Sequence, residues 1–389
     1  MTRTILLVVT LTAAMLSGQG VPKGFEHFYN LEYNEAIREF QGALKANPND
    51  PDAWNHLAQA VLYREMFLAG ALESELVSGS NPFIRRERVQ ASAEASKTFE
   101  EALAKTMALT SARVASNPKD TRALYAQGVA HGLRANWNFL VKKSWMDSLK
   151  DATAARKLHN QVLEIDSSFI DAKLVQGVHD YIVGSLPWHW KMLGFVAGFR
   201  GDRETGIKAL EDVANRGRLN KYDAQVLLAA IYRRERKPLQ AIPLLRKLAD
   251  RFPRNYLLRL EAVQMYSDAG DKANALQVLA SVEKMKGAGT PGFATLPYEK
   301  IWFYRGNLLF WYRDFDAAIE QLRKVTPKAS TLDLNTALMS WLRLGQSLDM
   351  KGMRKEAQEA YQQAIGAAPA SEIARESRGY LNSPYRRKG

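Results

Sequence analysis

The stretch IYRRERKPLQAIPLLRKLADRFP, residues 231–253, is followed in matching register by MYSDAGDKANALQVLASVEKM, residues 265–285. Tyr232 and Tyr266 each stand nine places before an alanine, and those alanines, Ala241 and Ala275, are 34 residues apart. Leu245, Leu248 and Pro253 follow the first; Leu279 and Val282 follow the second. Apolar residues three and four apart make one stripe on a helix. A small residue at a fixed place in that stripe lets another helix approach closely, and proline ends the segment because it lacks an N–H and clashes with the preceding turn. A period of 34 built from two such segments predicts stacked helix hairpins, since one hairpin alone cannot bury its apolar face.

The register extends in both directions. Trp302, Gly306, Leu309, Phe315, Ala318, Leu322 and Val325 hold the same relative places as Trp341, Gly345, Leu348, Arg354, Ala357, Tyr361 and Ala364, with Pro369 closing the second set. Near the start, Gly24, Tyr33, Ala36, Phe40, Ala43 and Pro48 repeat it, and Trp54, Leu57 and Ala58 open the next unit. This pattern resembles the tetratricopeptide repeat. The resemblance implies an all-α superhelical solenoid of antiparallel helix pairs, with a concave groove lined mainly by the first helix of each pair.

The second, third and fourth units are interrupted between their two helices. Ala58 and Pro118, Gly128 and Ala155, and Gly177 and Gly206 fit repeat positions but lie too far apart. Insertions at equivalent junctions of stacked units emerge along one edge, where they are expected to meet as a lobe. The first reads as a lengthened second helix starting near Asn81-Pro82 and carrying a Phe99, Leu103, Met107, Thr110, Val114 stripe. The other two hold Trp137, Phe139 and Trp145, then Trp188, Trp190, Phe195 and Phe199. Three readings of these tryptophans stand side by side: a satellite core, a pocket for a hydrophobic partner, or docking at a membrane interface beside Lys142, Lys143, Lys191 and Arg200.

A narrower resemblance sits in Tyr181-Ile182-Val183-Gly184-Ser185-Leu186-Pro187, Met192-Leu193-Gly194-Phe195 and Gly201-Asp202-Arg203-Glu204-Thr205-Gly206-Ile207. These segments are similar to the signature of the inclusion-body-clearance family of tetratricopeptide-repeat proteins. That resemblance implies a non-catalytic protein tied to aggregate clearance and lipid homeostasis. Those relatives are intracellular, whereas this chain opens on Arg3, an apolar run from Ile5 to Leu16 and a small, polar stretch to Gly20, the order of a secretory signal. Residues 1–20 are accordingly expected to be a signal, cleaved or kept as an anchor, and the rest to be periplasmic or secreted. The remaining expected divisions are repeats with insertions over 21–285, a Gly/Pro linker over 286–297, and repeats with a basic tail over 298–389.

The chain has 389 residues, no cysteine, and 54 Lys and Arg against 41 Asp and Glu, a net charge of +13. Disulfide and thiolate chemistry are therefore excluded. The six histidines show no His-Glu-x-x-His spacing, and neither a Gly-rich phosphate loop nor Gly-x-Ser-x-Gly is present. No enzyme activity, metal or cofactor is expected, and the export signal argues against a nucleic-acid partner.

Candidate binding positions follow from the groove geometry of the resemblance. In the seventh unit they are Lys300, Phe303, Asn307, Phe310 and Trp311. A helix this apolar all round is either buried against its neighbour or presents an aromatic groove. Arg233 and Arg234 fall at groove positions of the fifth unit and begin a run of eight bases and two acids ending at Arg254, which is either a solvated face or a lure for an acidic peptide or anionic headgroup. With Trp137, Trp145, Trp188 and Trp190 these complete the candidate set. The expected function is a non-catalytic scaffold or adaptor that binds a protein or peptide partner in the periplasm or cell envelope; the alternative is a membrane-surface or lipid-handling protein.

Overall fold

The structure is a computed structural model, and it describes residues 22–72, 88–185 and 201–387. Among these residues there are seventeen α-helices and no strand. The first units are α1 (Lys23–Tyr29) with α2 (Tyr33–Ala46), and α3 (Pro51–Leu68) with α4 (Ala93–Ser116). The third and fourth are α5 (Thr121–Trp137) with α6 (Trp145–Ile165), and α7 (Lys173–Gly184) with α8 (Arg203–Arg216). Then come α9 (Lys221–Arg234) with α10 (Pro238–Arg251), α11 (Tyr256–Asp268) with α12 (Lys272–Gly287), α13 (Tyr298–Trp311) with α14 (Phe315–Val325), and α15 (Leu334–Met350) with α16 (Arg354–Ala367). A last helix, α17 (Glu372–Asn382), packs on α16. The architecture is thus the expected all-α solenoid of antiparallel helix pairs.

Two local devices recur along the stack. Side chains of Asp50, Ser92, Asp120, Asp202, Asn255, Asp271, Asp333 and Ser371 accept backbone N–H bonds at helix starts, satisfying donors that have no partner inside the helix. Where a first helix turns into its second, the backbone becomes left-handed, at Leu31, Gly70, Lys143, Arg236, Gly270, Arg313 and Gly352. A left-handed residue after the last turn lets its N–H reach back to the helix carbonyls and reverses the chain. Small residues then set the spacing within pairs. Ala36, Ala58, Ala241, Ala275, Ala318 and Ala357 are wholly buried. A Cβ on Gly206 would lie 2.5 Å from the backbone nitrogen of Tyr181, so α7 and α8 touch backbone to backbone. The glycine-rich signature near residue 200 is, in its described part, a close-packing device.

The insertions behave differently from one another. α4 runs for 24 residues from its cap at Ser92, and Asn81-Pro82 lies outside the described residues. The third unit absorbs its insertion by extending α5 through a π-turn over Asn138–Lys142 and starting α6 early, at Trp145. The spacer expected as a simple Gly/Pro linker is packed: Phe293 and Leu296 are fully buried in the core of the last units.

The larger departure from an open groove is that the stack closes on itself. Tyr29 packs at 5.5 Å from Tyr222 and 4.8 Å from Phe252, and Phe67 lies 6.3 Å from Tyr256. Asn255 Nδ2 donates to the carbonyl of Tyr29 at 2.7 Å, and the Arg254 N–H donates to Asn30 Oδ1 at 2.9 Å. Ion pairs frame this seam, Arg254 with Glu32 at 2.7 Å and Arg251 with Glu26 at 2.9 Å. Further along, a Cβ on Gly70 would lie 2.6 Å from Asp333 Oδ1, so the second unit also abuts α15. The first two units therefore pack against the fifth and sixth and against the start of α15.

Candidate functional site

Packing between neighbouring units reassigns most of the expected groove residues. Phe303 and Phe310 are fully buried and Asn307 is buried with them, Phe310 in part by the Tyr385 ring of the segment after α17. Lys300 is buried as well, with Nζ 2.8 Å from Asp333 Oδ2. Burial pushes the Asp333 carboxyl upward, but the Lys300 ammonium and the Thr336 hydrogen bonds hold it below its ordinary value. The correction to the expected groove has a physical reason: Asp333 and Arg343 of the neighbouring unit reach Lys300, Asn307 and Phe310, and Phe315 and Tyr385 pack on the Phe310 ring.

The basic run is corrected similarly. Arg233 is nearly buried and pairs with Asp268 at 3.1 Å, while Arg234 lies over the Tyr181 ring at 5.9 Å. Arg251 and Arg254 are spent on Glu26 and Glu32. The acidic partner of these last two bases is thus the chain's own first hairpin, while Arg236, Lys237, Arg246 and Lys247 lie on an exposed face. Glu32 confirms the match: burial pulls its carboxyl up, and the hydrogen bonds of Arg254 and His27 bring it down below the usual glutamate range.

The tryptophans of the insertions separate. Trp137 is 1% exposed and stacked on Phe99, with ring centroids 4.1 Å apart, so it belongs to the main core of the first units. Trp145 is 47% exposed and edge-on to Phe139, and it shares its face with the exposed Met146 and Leu149. Trp188 and Trp190 lie outside the described residues.

Trp311 is the groove candidate that stays accessible, at 44% exposed. It ends α13, and its surroundings are built from four elements. The Arg343 guanidinium, from the middle of α15, lies 4.8 Å from the ring centroids of both Phe310 and Trp311. Arg343 Nε donates to Asn307 Oδ1 at 2.9 Å and Nη1 to Gln346 Oε1 at 2.6 Å, which fixes the guanidinium in place. Near the end of α15, the Asp349 carboxylate is 1% exposed and accepts from Tyr361 Oη at 2.9 Å and Arg354 Nη1 at 3.0 Å.

The segment after α17 is seated on this surface. The Tyr385 N–H donates to Asp349 Oδ2 at 2.7 Å, and its ring sits 5.9 Å from Phe310 and 5.3 Å from Tyr380. Arg387 Nη1 donates to the carbonyl of Trp311 at 2.9 Å, and its guanidinium lies over the Trp311 ring at 5.3 Å. A cation at the last carbonyls of α13 meets the negative end of the helix dipole as well as the ring face. Sequence reasoning missed Arg343, Asp349, Tyr385 and Arg387. Arg343 carried a signal, a lone charge inside the apolar run Leu342-Arg343-Leu344, while Asp349 looks in sequence like any polar residue at a helix end.

Among the described residues no cluster of three His, Asp or Glu could hold a metal, and no helix is long and apolar enough to cross a membrane. Tetratricopeptide-repeat family models match residues 23–65 and 340–371. The residues resembling the inclusion-body-clearance signature lie outside both matches. No curated protein matches the chain in sequence. Among solved structures, it is similar to a chain of the APC/C hetero-tetramer Cut9–Hcn1, at 14% identity and a TM-score of 0.49, covering 91% of this chain and 53% of that one. It therefore spans about half the length of that relative. Yeast Tom70 follows at 12% identity and a TM-score of 0.41, covering 90% and 85%, and the repeat domain of P58(IPK) at 15% and 0.23, covering 92% and 86%. The chain carries tetratricopeptide repeats at residues 23–65 and 340–371, set in an all-α stack of helix pairs.

Proposed function

We propose that the chain is a non-catalytic scaffold that binds a protein partner through the surface around Trp311, in the periplasm or cell envelope to which the sequence of residues 1–20 points. Tetratricopeptide repeats are typical of scaffolds of protein–protein interaction, which supports the class. The observation that carries the reading is Trp311 itself. Large aromatic and arginine side chains held rigidly at the surface are the commonest anchors of protein interfaces. Here the ring is held beneath Arg343 at the end of a helix whose other groove positions are core. A site already in place loses little entropy when it is occupied.

The test separates anchor from core. Trp311→Ala is expected to abolish co-purification of a partner and leave the melting temperature within a degree or two. Phe310→Ala is expected to lower the melting temperature, because it removes a fully buried ring. Unchanged co-purification with Trp311→Ala removes this reading.

A second reading rests on a different face. Trp145, Met146 and Leu149 are exposed together on α6, with Lys142 and Lys143 just before them. Tryptophan beside lysine suits the headgroup depth of an anionic membrane, and this face supports a membrane-surface or lipid-handling role. Flotation with anionic vesicles that is lost in Trp145→Ala supports it; no flotation at low salt removes it.

A further inference from the structure

The Trp311 surface is occupied by the chain's own residues, and the manner of occupation describes what the surface recognises. Residues 384–387 reach it outside any helix. Their contacts fall into two sets of different chemistry. The backbone N–H of Tyr385 meets a carboxylate that is buried and already fixed by Arg354 and Tyr361, while the Tyr385 ring rests between Phe310 and Tyr380. Two residues on, Arg387 meets a helix C-terminus and an indole face. A carboxylate that is 1% exposed and faces a backbone N–H is a specific acceptor, since a charge shut away from water must be matched by donors. The pairing is therefore aromatic, any residue, arginine, with one backbone bond fixing the register.

We propose, building on the reading that Trp311 anchors a protein partner, that this surface is a short-peptide site. Its ligand is a segment with an aromatic residue two positions before an arginine, and residues 384–387 occupy it in cis as a competing strap. The strap holds a high effective concentration because it is tethered to α17, so a partner must outcompete it. The apparent affinity for a peptide added in trans is reduced by the fraction of time the site is open. The strap has few anchors, and Trp311 stays half exposed beneath it, so displacement does not require opening the core.

The experiment uses a fluorescein-labelled peptide of residues 382–389, Asn-Ser-Pro-Tyr-Arg-Arg-Lys-Gly, titrated by anisotropy against the full chain. A Tyr385→Ala, Arg387→Ala double variant is expected to bind it at least about tenfold more tightly than the unaltered chain, the factor for a strap seated nine-tenths of the time. Adding Trp311→Ala to that variant is expected to abolish binding, as is replacing Tyr and Arg in the peptide by Ala. Circular dichroism and the melting temperature check the fold. Should the double variant not fold, Arg387→Ala alone, which removes two carbonyl bonds and a cation–ring contact, is expected to show the same direction of change.

Equal affinity for the variant and the unaltered chain, or no binding to a folded variant, overturns the proposal. A mass of two chains for the unaltered protein that falls to one in the double variant overturns the cis assignment. Partner capture that depends on Trp311 but is the same with and without Arg387→Ala overturns the strap and leaves the scaffold reading standing. Capture independent of Trp311 removes the scaffold reading instead.

Discussion

Two places in this molecule dock an arginine and aromatic residues against distant parts of the chain, and they differ in depth. At the seam, the first hairpin is held by Arg254, Arg251 and Asn255 around a Tyr29, Tyr222 and Phe252 cluster in which Phe252 is fully buried. At the strap, Arg387 and Tyr385 lie on Trp311 and Phe310, and Trp311 keeps nearly half its surface in water. The side-chain types are the same. Burial separates a contact that is structural from one that can be exchanged, because stabilisation scales with the apolar area removed from water.

The sharpest way to break this comparison is to remove one ring from each place. Phe252→Ala is expected to cost about 3–5 kcal/mol, the range for deleting a buried phenyl group, and to loosen the first hairpin. Trp311→Ala is expected to cost far less. Hydrogen exchange across residues 23–46 reads the seam: unchanged protection in Phe252→Ala would mean that the hairpin is not held there.

A pH series sharpens the account of the seam. Asp223 lies beneath it, and burial together with the nearby Asp171 pushes its carboxyl up to about 7, while a hydrogen bond with Tyr29 works in the opposite direction. Below about pH 4 the group is protonated whether the chain is folded or not. Between there and pH 7 the unfolded chain loses the proton and the folded chain keeps it, so this group's contribution falls as pH rises through that window and then levels off. Asp223→Asn is therefore expected to match the unaltered chain near pH 4 and to be more stable at pH 8. A difference that does not grow with pH would show that Asp223 ionises freely in the fold.

Smaller effects belong to the charges. Arg254→Ala is expected to lower the melting temperature less than Phe252→Ala, and by an amount that shrinks with added salt, since the Arg254 and Glu32 side chains are still partly in water. Arg387→Ala is expected to change stability by about 1 kcal/mol, the range for a surface cation–ring contact. An Arg387→Ala loss as large as that of Phe252→Ala would make the strap part of the core and end the distinction.

The candidate site was legible in part. Trp311 stood out because it falls at a groove position and carries a large ring, and it is the groove aromatic that remains accessible. Phe303, Asn307 and Phe310 share its helix and its pattern, yet all are buried, because a period marks which face a residue takes and not what lies opposite. Arg251 and Arg254 looked like part of a basic surface awaiting an acid; the acid was present in the chain, more than two hundred residues away.

What the sequence by itself determined is the set of local rules: small residues where paired helices touch, capping side chains at helix starts, and a turn at the end of each first helix. These depend on neighbours within one repeat, and they are written in the period. The tertiary structure alone decided that the stack closes, which groove positions are core, and which surface is left to be shared between the strap and a partner. Closure sums the small rotations of several successive units. No single repeat contains that sum, so residues such as Glu32 and Arg254 carry no local sign that they will meet.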